Sequence, residues 1–156
     1  FEPSTRNEVP ALLDASASVR NSLVPRGCVV NGRVENSILF PGVRVGGGTS
    51  ITNAIVMDNT FIAEDVVVEN VIIDKNCVID RGSVIGCGPV VLNHEHPTML
   101  DTGISVLGKG VKLPPGTKVG RNVLIFPDVS ATDLPGSDIA SGQTVNLRPE
   151  VRRDRG

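Results

Sequence analysis

Between residues 39 and 85 the aliphatic positions fall at Leu39, Val45, Ile51, Val56, Ile62, Val68, Ile73, Ile79 and Ile85, with gaps of 6, 6, 5, 6, 6, 5, 6 and 6. Three steps make one 17-residue unit. Four residues after most of these anchors, or three on the short step, stands a smaller residue: Val43, Thr49, Ala54, Thr60, Val66, Val71, Cys77 or Ser83. A helix would repeat its apolar positions at intervals of three and four, and the anchors do not. A hairpin meander would alternate around tight turns at irregular lengths. The pattern predicts strands folded at regular corners, three short parallel strands per coil, with coils stacked at the roughly 4.8 Å strand spacing.

The polar positions carry the same period. Val19-Arg20-Asn21-Ser22-Leu23-Val24, Val34-Glu35-Asn36-Ser37-Ile38-Leu39, Ile51-Thr52-Asn53-Ala54-Ile55-Val56 and Val68-Glu69-Asn70-Val71-Ile72-Ile73 share one form and start 15, 17 and 17 residues apart. The Asn column (Asn21, Asn36, Asn53, Asn70) marks one corner, where Asn tolerates left-handed φ. The coil 24–39 is two residues short, as expected of an irregular end. The fold class is all-β, a parallel β-helix of hexapeptide repeats in coils of about 17 residues. Hexapeptide sequences are known for left-handed coiling, against the usual crossover rule, so a left-handed β-helix is expected.

Residues beside inward anchors point to solvent, because strands alternate. On two faces these outward residues are mixed, as with Arg44, Gly46, Ser50, Thr52 and Glu69. On the third they are Leu23, Ile38, Ile55 and Ile72, flanked by Phe40 and Met57. An outward apolar stripe of that length predicts an interface. Its expected cover is a catalytic domain, another subunit, or residues 1–18.

The period lapses over 86–103, GCGPVVLNHEHPTMLDTG, and resumes at Leu107, Leu113 and Val119, with Val111, Thr117 and Val123 four residues later. A second insertion, FPDVSATDLPGSD, precedes a partial coil at Ile139 and Val145. The expected organisation is a lead-in over 1–18, a main β-helix over 19–88, a loop over 89–103, further coils over 104–147 and a polar, mobile tail over 148–156.

Composition narrows the function. Hydrophobic residues make up 40% of the 156, but aromatics only 3%, as a narrow triangular interior filled by Val, Ile and Leu requires. A net charge of −2 without a central basic patch argues against nucleic acid as the main partner. No apolar run is long enough to span a membrane, and no signal peptide is recognisable. Cys28, Cys77 and Cys87 have no CxxC spacing, which suits reduced thiols in the cytoplasm, two of them small core residues. A chain that starts at Phe1 without an initiator Met is read as part of something longer.

The run NSLVPRGCVVNGRVENSILFPGVRVGGG, with VIIDKNCVIDRGSVIG after it, resembles the C-terminal β-helix of the glucose-1-phosphate adenylyltransferase (ADP-glucose pyrophosphorylase) family. The resemblance covers residues 19–86 well, is looser over GISVLGKGVKLPPGTKVG, and is faint before residue 19 and after 125. It implies a parent nucleotidyltransferase making ADP-glucose from ATP and glucose 1-phosphate with Mg²⁺, on the route to glycogen or starch. That chemistry would belong to an N-terminal nucleotide-binding domain with a Gly-rich phosphate loop. Here Gly46-Gly47-Gly48 lacks the following Lys-Ser/Thr of a P-loop, so no catalytic residue is expected in this stretch. The alternatives are the same domain on another sugar-1-phosphate nucleotidyltransferase or a non-catalytic regulatory subunit, and a stand-alone hexapeptide acyltransferase. The implied partners are the chain's own catalytic domain and other subunits of a homo- or hetero-oligomer.

Plant members of the family bind anionic activators through lysines in IDKN and GI-x(4)-K-x(3)-[LI]-P-x-GT motifs. Ile73-Asp74-Lys75-Asn76 matches the first, and Gly103-Ile104 through Lys109 to Leu113-Pro114-Pro115-Gly116-Thr117 matches the second. The resemblance therefore implies Lys75 and Lys109 as effector ligands, close enough to share one anion. Gly108 stands where the plant pattern is aliphatic. His94-Glu95-His96 offers only two histidines on a Pro-flanked loop, short of a three-His metal site, and reads as solvated loop. No metal site is expected. The tail arginines Arg148, Arg152, Arg153 and Arg155 read as a solvated end.

Overall fold

The computed structural model describes residues 10–149. Their regular structure is all β, with every pairing parallel and no helix. The strands stack on three faces. The first face is built from β1 (Leu12–Leu13), β3 (Val29–Val30), β6 (Arg44–Val45), β8 (Phe61–Ile62), β10 (Val78–Ile79) and β13 (Lys112–Leu113), in that order.

The other two faces form one continuous sheet, because β7 (Ser50–Val56) and β9 (Val67–Ile73) run across both. The first halves of β7 and β9 stack with β2 (Ser18–Arg20), β4 (Arg33–Glu35), β11 (Val84–Ile85), β14 (Lys118–Val119) and β16 (Asp138–Ile139). Their second halves stack with β5 (Ile38–Leu39), β12 (Ser105–Leu107), β15 (Leu124–Ile125) and β17 (Thr144–Val145).

The predicted register is the observed one: Val45 pairs with Ile62, and Ile51 with Val68. All nine anchors from Leu39 to Ile85 are at most 2% exposed, and the smaller residues that follow them are buried too. Burying a Val, Ile or Leu contributes roughly 1.5–3 kcal/mol, so the anchor columns are sufficient to hold a core without aromatics.

Polar residues within the corners bond between coils. Thr49 Oγ1 donates to the Ala63 carbonyl (2.6 Å) and accepts from the Val66 N–H (3.1 Å). Thr60 does the same with the Asp74 carbonyl and the Cys77 N–H. Cys28 and Cys77 occupy such inward positions, while Cys87 is exposed, and all three are free thiols. Burial pushes the Cys77 thiol up to about 11.

Asn21, Asn36, Asn53 and Asn70 have φ of 47°, 48°, 51° and 49°. They turn the chain between two faces, and Asn21 Nδ2 donates to Asn36 Oδ1 (2.6 Å), as Asn53 does to Asn70 (3.4 Å). An alanine gains no local bond to offset the left-handed penalty of roughly 1–2 kcal/mol. Asn53→Ala is expected to lower stability in urea unfolding by about that much, and Asn53→Gly by clearly less. Equal losses would show that the backbone conformation is not the cause.

Three sequence expectations are corrected. Among the described residues the stack begins at Leu12, ahead of residue 19, because β1 and β2 already pair with β3 and β4. The short coil 24–39 is consequently not terminal. Its two missing residues are lost at the Asn31-Gly32 corner, since Val30 pairs with Val45 but Val34 with Ile51. Only Gly fits there, as a Cβ on Gly32 would lie 2.4 Å from the Thr49 carbonyl oxygen.

Finally, the tail is anchored where it begins. The Arg148 N–H donates to Asp133 Oδ1 (3.0 Å), and Arg148 Nη2 to the Leu134 carbonyl (3.2 Å). Backbone N–H groups of Ser130 and Arg148 hold the Asp133 carboxyl below its usual range. Arg152, Arg153 and Arg155 lie outside the described residues. No helix among the described residues is long and apolar enough to cross a membrane.

Candidate functional site

The chain turns from the third face to the first at a corner whose successive coils carry Pro41, Asp58, Lys75, Lys109 and Pro127 at one position. The ladder that aligns them is backbone to backbone. Asn59 N–H donates to the Pro41 carbonyl (3.1 Å), Asn76 to Asp58 (2.9 Å), Gly110 to Lys75 (2.9 Å) and Asp128 to Lys109 (2.9 Å). Lys75 and Lys109 are therefore direct neighbours on adjacent coils, although 34 residues separate them. Both are exposed, and neither side chain takes an ion pair among the described residues. Their acidic surroundings are Asp58 one coil before, Asp74, whose Oδ1 accepts the Lys75 N–H (2.7 Å), and Asp128 beyond Lys109. The Asp74 carboxylate is thus turned onto the corner backbone. Two unpaired ammonium groups one coil apart form a place where a multiply charged anion would relieve their mutual repulsion.

The apolar stripe borders this corner. Ile38 pairs with Ile55, Ile55 with Ile72, Ile72 with Val106 and Val106 with Leu124. Leu23 bridges to Ile38 at the start. Leu23 is 66% and Ile38 40% exposed, and the others are half-buried by the rungs above and below. Phe40 borders the start of the column, and near Leu23 the column widens into an apolar hollow of about 390 Å³. Val106 and Leu124 extend the stripe beyond the residues expected to form it. Residues 10–18 lie in the stack itself and do not cover it.

The loop 86–103 is not simply solvated. Asn93 is fully buried, and its Nδ2 donates to the carbonyls of Asn122 (2.9 Å) and Gln143 (3.3 Å). Its Oδ1 accepts from the Glu95 and His96 N–H groups and from Thr144 Oγ1. Asn122, at φ 53°, donates to the Val91 carbonyl and accepts from the Gly103 N–H. The His94 side chain is exposed and His96 half-buried. Among the described residues no group of three or more His, Cys, Asp or Glu is arranged to hold a metal ion. An Asn three or fewer residues from its backbone partners was visible in LNHEH, but its long-range bonds to residues 122, 143 and 144 were not.

Residues 9–107 match the family described as GlmU-like, C-terminal hexapeptide. Over 130 residues, 83% of this chain and 30% of the relative, the sequence is 35% identical to a glucose-1-phosphate adenylyltransferase of Acetivibrio thermocellus. The identity to that of Ruminiclostridium cellulolyticum is 44% over 151 residues, 93% of this chain and 35% of the relative. The chain thus spans about a third of the length of these curated relatives. Among solved structures, the acetyltransferase domain of PglB from Neisseria gonorrhoeae FA1090 aligns over 89% of this chain and 55% of its own, with 19% identity and a TM-score of 0.46.

Proposed function

Because this chain belongs to the GlmU-like C-terminal hexapeptide family, we propose that it is the regulatory and assembly β-helix of an ADP-glucose pyrophosphorylase-like nucleotidyltransferase. The parent reaction would convert ATP and glucose 1-phosphate to ADP-glucose and diphosphate, with Mg²⁺ held outside this domain. A cytoplasmic setting is part of the same proposal. The observation that carries the regulatory reading is the stacking of Lys75 directly beneath Lys109. A β-helix interior is filled with aliphatic side chains, so a control site must use groups projecting from corners. Flexible ammonium groups suit a phosphate as point charges. The nearby stripe gives such a corner a route to other domains: Ile72 and Val106 stand three residues before Lys75 and Lys109. An anion at the corner would then act as a coupling free energy, typically about 1–3 kcal/mol.

The test is activation of the intact enzyme by 3-phosphoglycerate and by fructose 1,6-bisphosphate. Lys75→Ala and Lys109→Ala should each raise the half-activating concentration about tenfold, which corresponds to roughly 1.4 kcal/mol of lost coupling. Unaltered activation in both single variants and in the double variant would reduce these residues to surface lysines.

A further inference from the structure

We propose that the outer side of the first face carries a separate binding site for a neutral, hydroxyl-rich ligand, a sugar or short oligosaccharide. The site is a trough of about 490 Å³, and it arises from a gap in a row of side chains. Val29, Arg44, Phe61 and Val78 stack in register on this face. Two residues further along each coil stand Asn31, Gly46, Ala63 and Asp80. The middle pair is small, so Asn31 and Asp80 become posts at the ends of a notch three rungs long, about 14 Å at the strand spacing. Phe61, 45% exposed, forms one wall. Glu64 and Arg81, one residue further along the chain, form the other, and Gly47 leaves that wall open beside them.

The chemistry of this lining separates it from the lysine corner. Arg44 and Arg81 are balanced by Glu64 and Asp80, so the trough has no net formal charge and offers an anion two carboxylates as well as two guanidinium groups. The side chains of Asn31, Arg44, Glu64 and Arg81 take no hydrogen bond or ion pair among the described residues. Asp80 is pre-oriented, because its Oδ1 accepts the Arg81 N–H (2.7 Å). Donors and acceptors of both kinds therefore converge beside an aromatic ring. A sugar presents the matching set: an apolar C–H face for the ring, and hydroxyls at its edge that donate and accept at once. The volume lies within the range of small-molecule sites.

Gly47 supplies a test that leaves the fold alone. Its φ is not positive, and a Cβ added there would meet nothing within 4 Å. At Gly46, by contrast, a Cβ would lie 2.6 Å from the Ala63 carbonyl carbon. Gly47→Leu should fill the trough without altering the thermal midpoint.

The intact protein is titrated by calorimetry with maltotriose, with cellotriose and with inorganic phosphate. The expected result is saturable binding of at least one of the two sugars, insensitive to added salt. It should weaken about tenfold or more in Phe61→Ala and vanish in Gly47→Leu. Absence of binding to both sugars overturns the proposal, as does sugar binding that neither substitution changes. Phosphate binding abolished by Gly47→Leu would make the trough an anion site. A changed oligomeric mass in Gly47→Leu would make it a protein contact. Either outcome overturns the sugar assignment.

Discussion

Ile62→Lys and Ile79→Lys are each expected to destabilise the protein by more than about 4 kcal/mol, an effect reserved for buried charge and lost core packing. Ile62 and Ile79 are 0% exposed and pair with one another on adjacent coils. Each substitution forfeits roughly 1.5–3 kcal/mol of side-chain burial. It also places an ammonium where no carboxylate can reach it, costing several kcal/mol more after relaxation. Val78→Lys is the internal control. It lies one residue from Ile79 but points outward, half-buried and in register with Lys112, and should cost no more than about 1 kcal/mol. The damage should also be local, because each coil of a solenoid touches only its neighbours. Urea unfolding followed by circular dichroism should broaden or split into two steps. Amide exchange should accelerate over residues 45–85 before it does over residues 107–145. A loss below about 1 kcal/mol at Ile62 would mean that the interior is not the packed column its burial indicates.

The interior was legible because its chemistry is periodic. An aliphatic anchor is demanded at every strand and a small residue at every inward corner, and Leu39 to Ile85 satisfy both without interruption. What the sequence hid were the places where the phase is broken. The first coil was not among them: Leu13, with Ala17 four residues later and Val19 six residues later, keeps the spacing of the later anchors and belongs to the stack. Val106 and Leu124 continue the apolar stripe, but the loop 86–103 adds a coil's length of chain before Val106, and Leu124 is one residue out of step. The offset of 34 from Ile72 to Val106, and from Lys75 to Lys109, is two full units. It was the available signal that joins the two lysines by geometry alone, before any resemblance is invoked.

The trough and the docked loop were hidden for a different reason. Both depend on residues that meet only through stacking: Asn31 and Asp80 across two small residues, and Asn93 with Asn122 and Gln143. Linear spacing carries no information about such pairs until the register is fixed. Gly46-Gly47-Gly48 could be read as a corner, but the space left by Gly47 could not.

Ile72→Glu is expected to separate the β-helix from whatever covers its third face, while leaving the coils intact. Ile72 is half-buried and points outward, paired with Ile55 and Val106. In the uncovered β-helix its new carboxylate would remain in water, so the stack should lose little. If an apolar partner surface covers it, the same carboxylate would be desolvated without a counter-charge, and an uncompensated buried charge costs several kcal/mol, here taken as about 2–5. That corresponds to a factor of roughly 30 to several thousand in a dissociation constant. On the proposed function, light scattering on the intact protein should show a lower oligomeric mass for Ile72→Glu, or limited proteolysis should show a loosened neighbouring domain. Val67→Glu makes the same change in the same strand, β9, but on another face and between the uncharged Ser50 and Val84, and should do neither. Circular dichroism should report unchanged β-structure in both variants, which separates a lost contact from a lost fold. If mass, protease sensitivity and turnover all stay at their original values in Ile72→Glu, the stripe is bare in the working protein. Its six aliphatic rungs would then serve only to shield the strand edges beneath them.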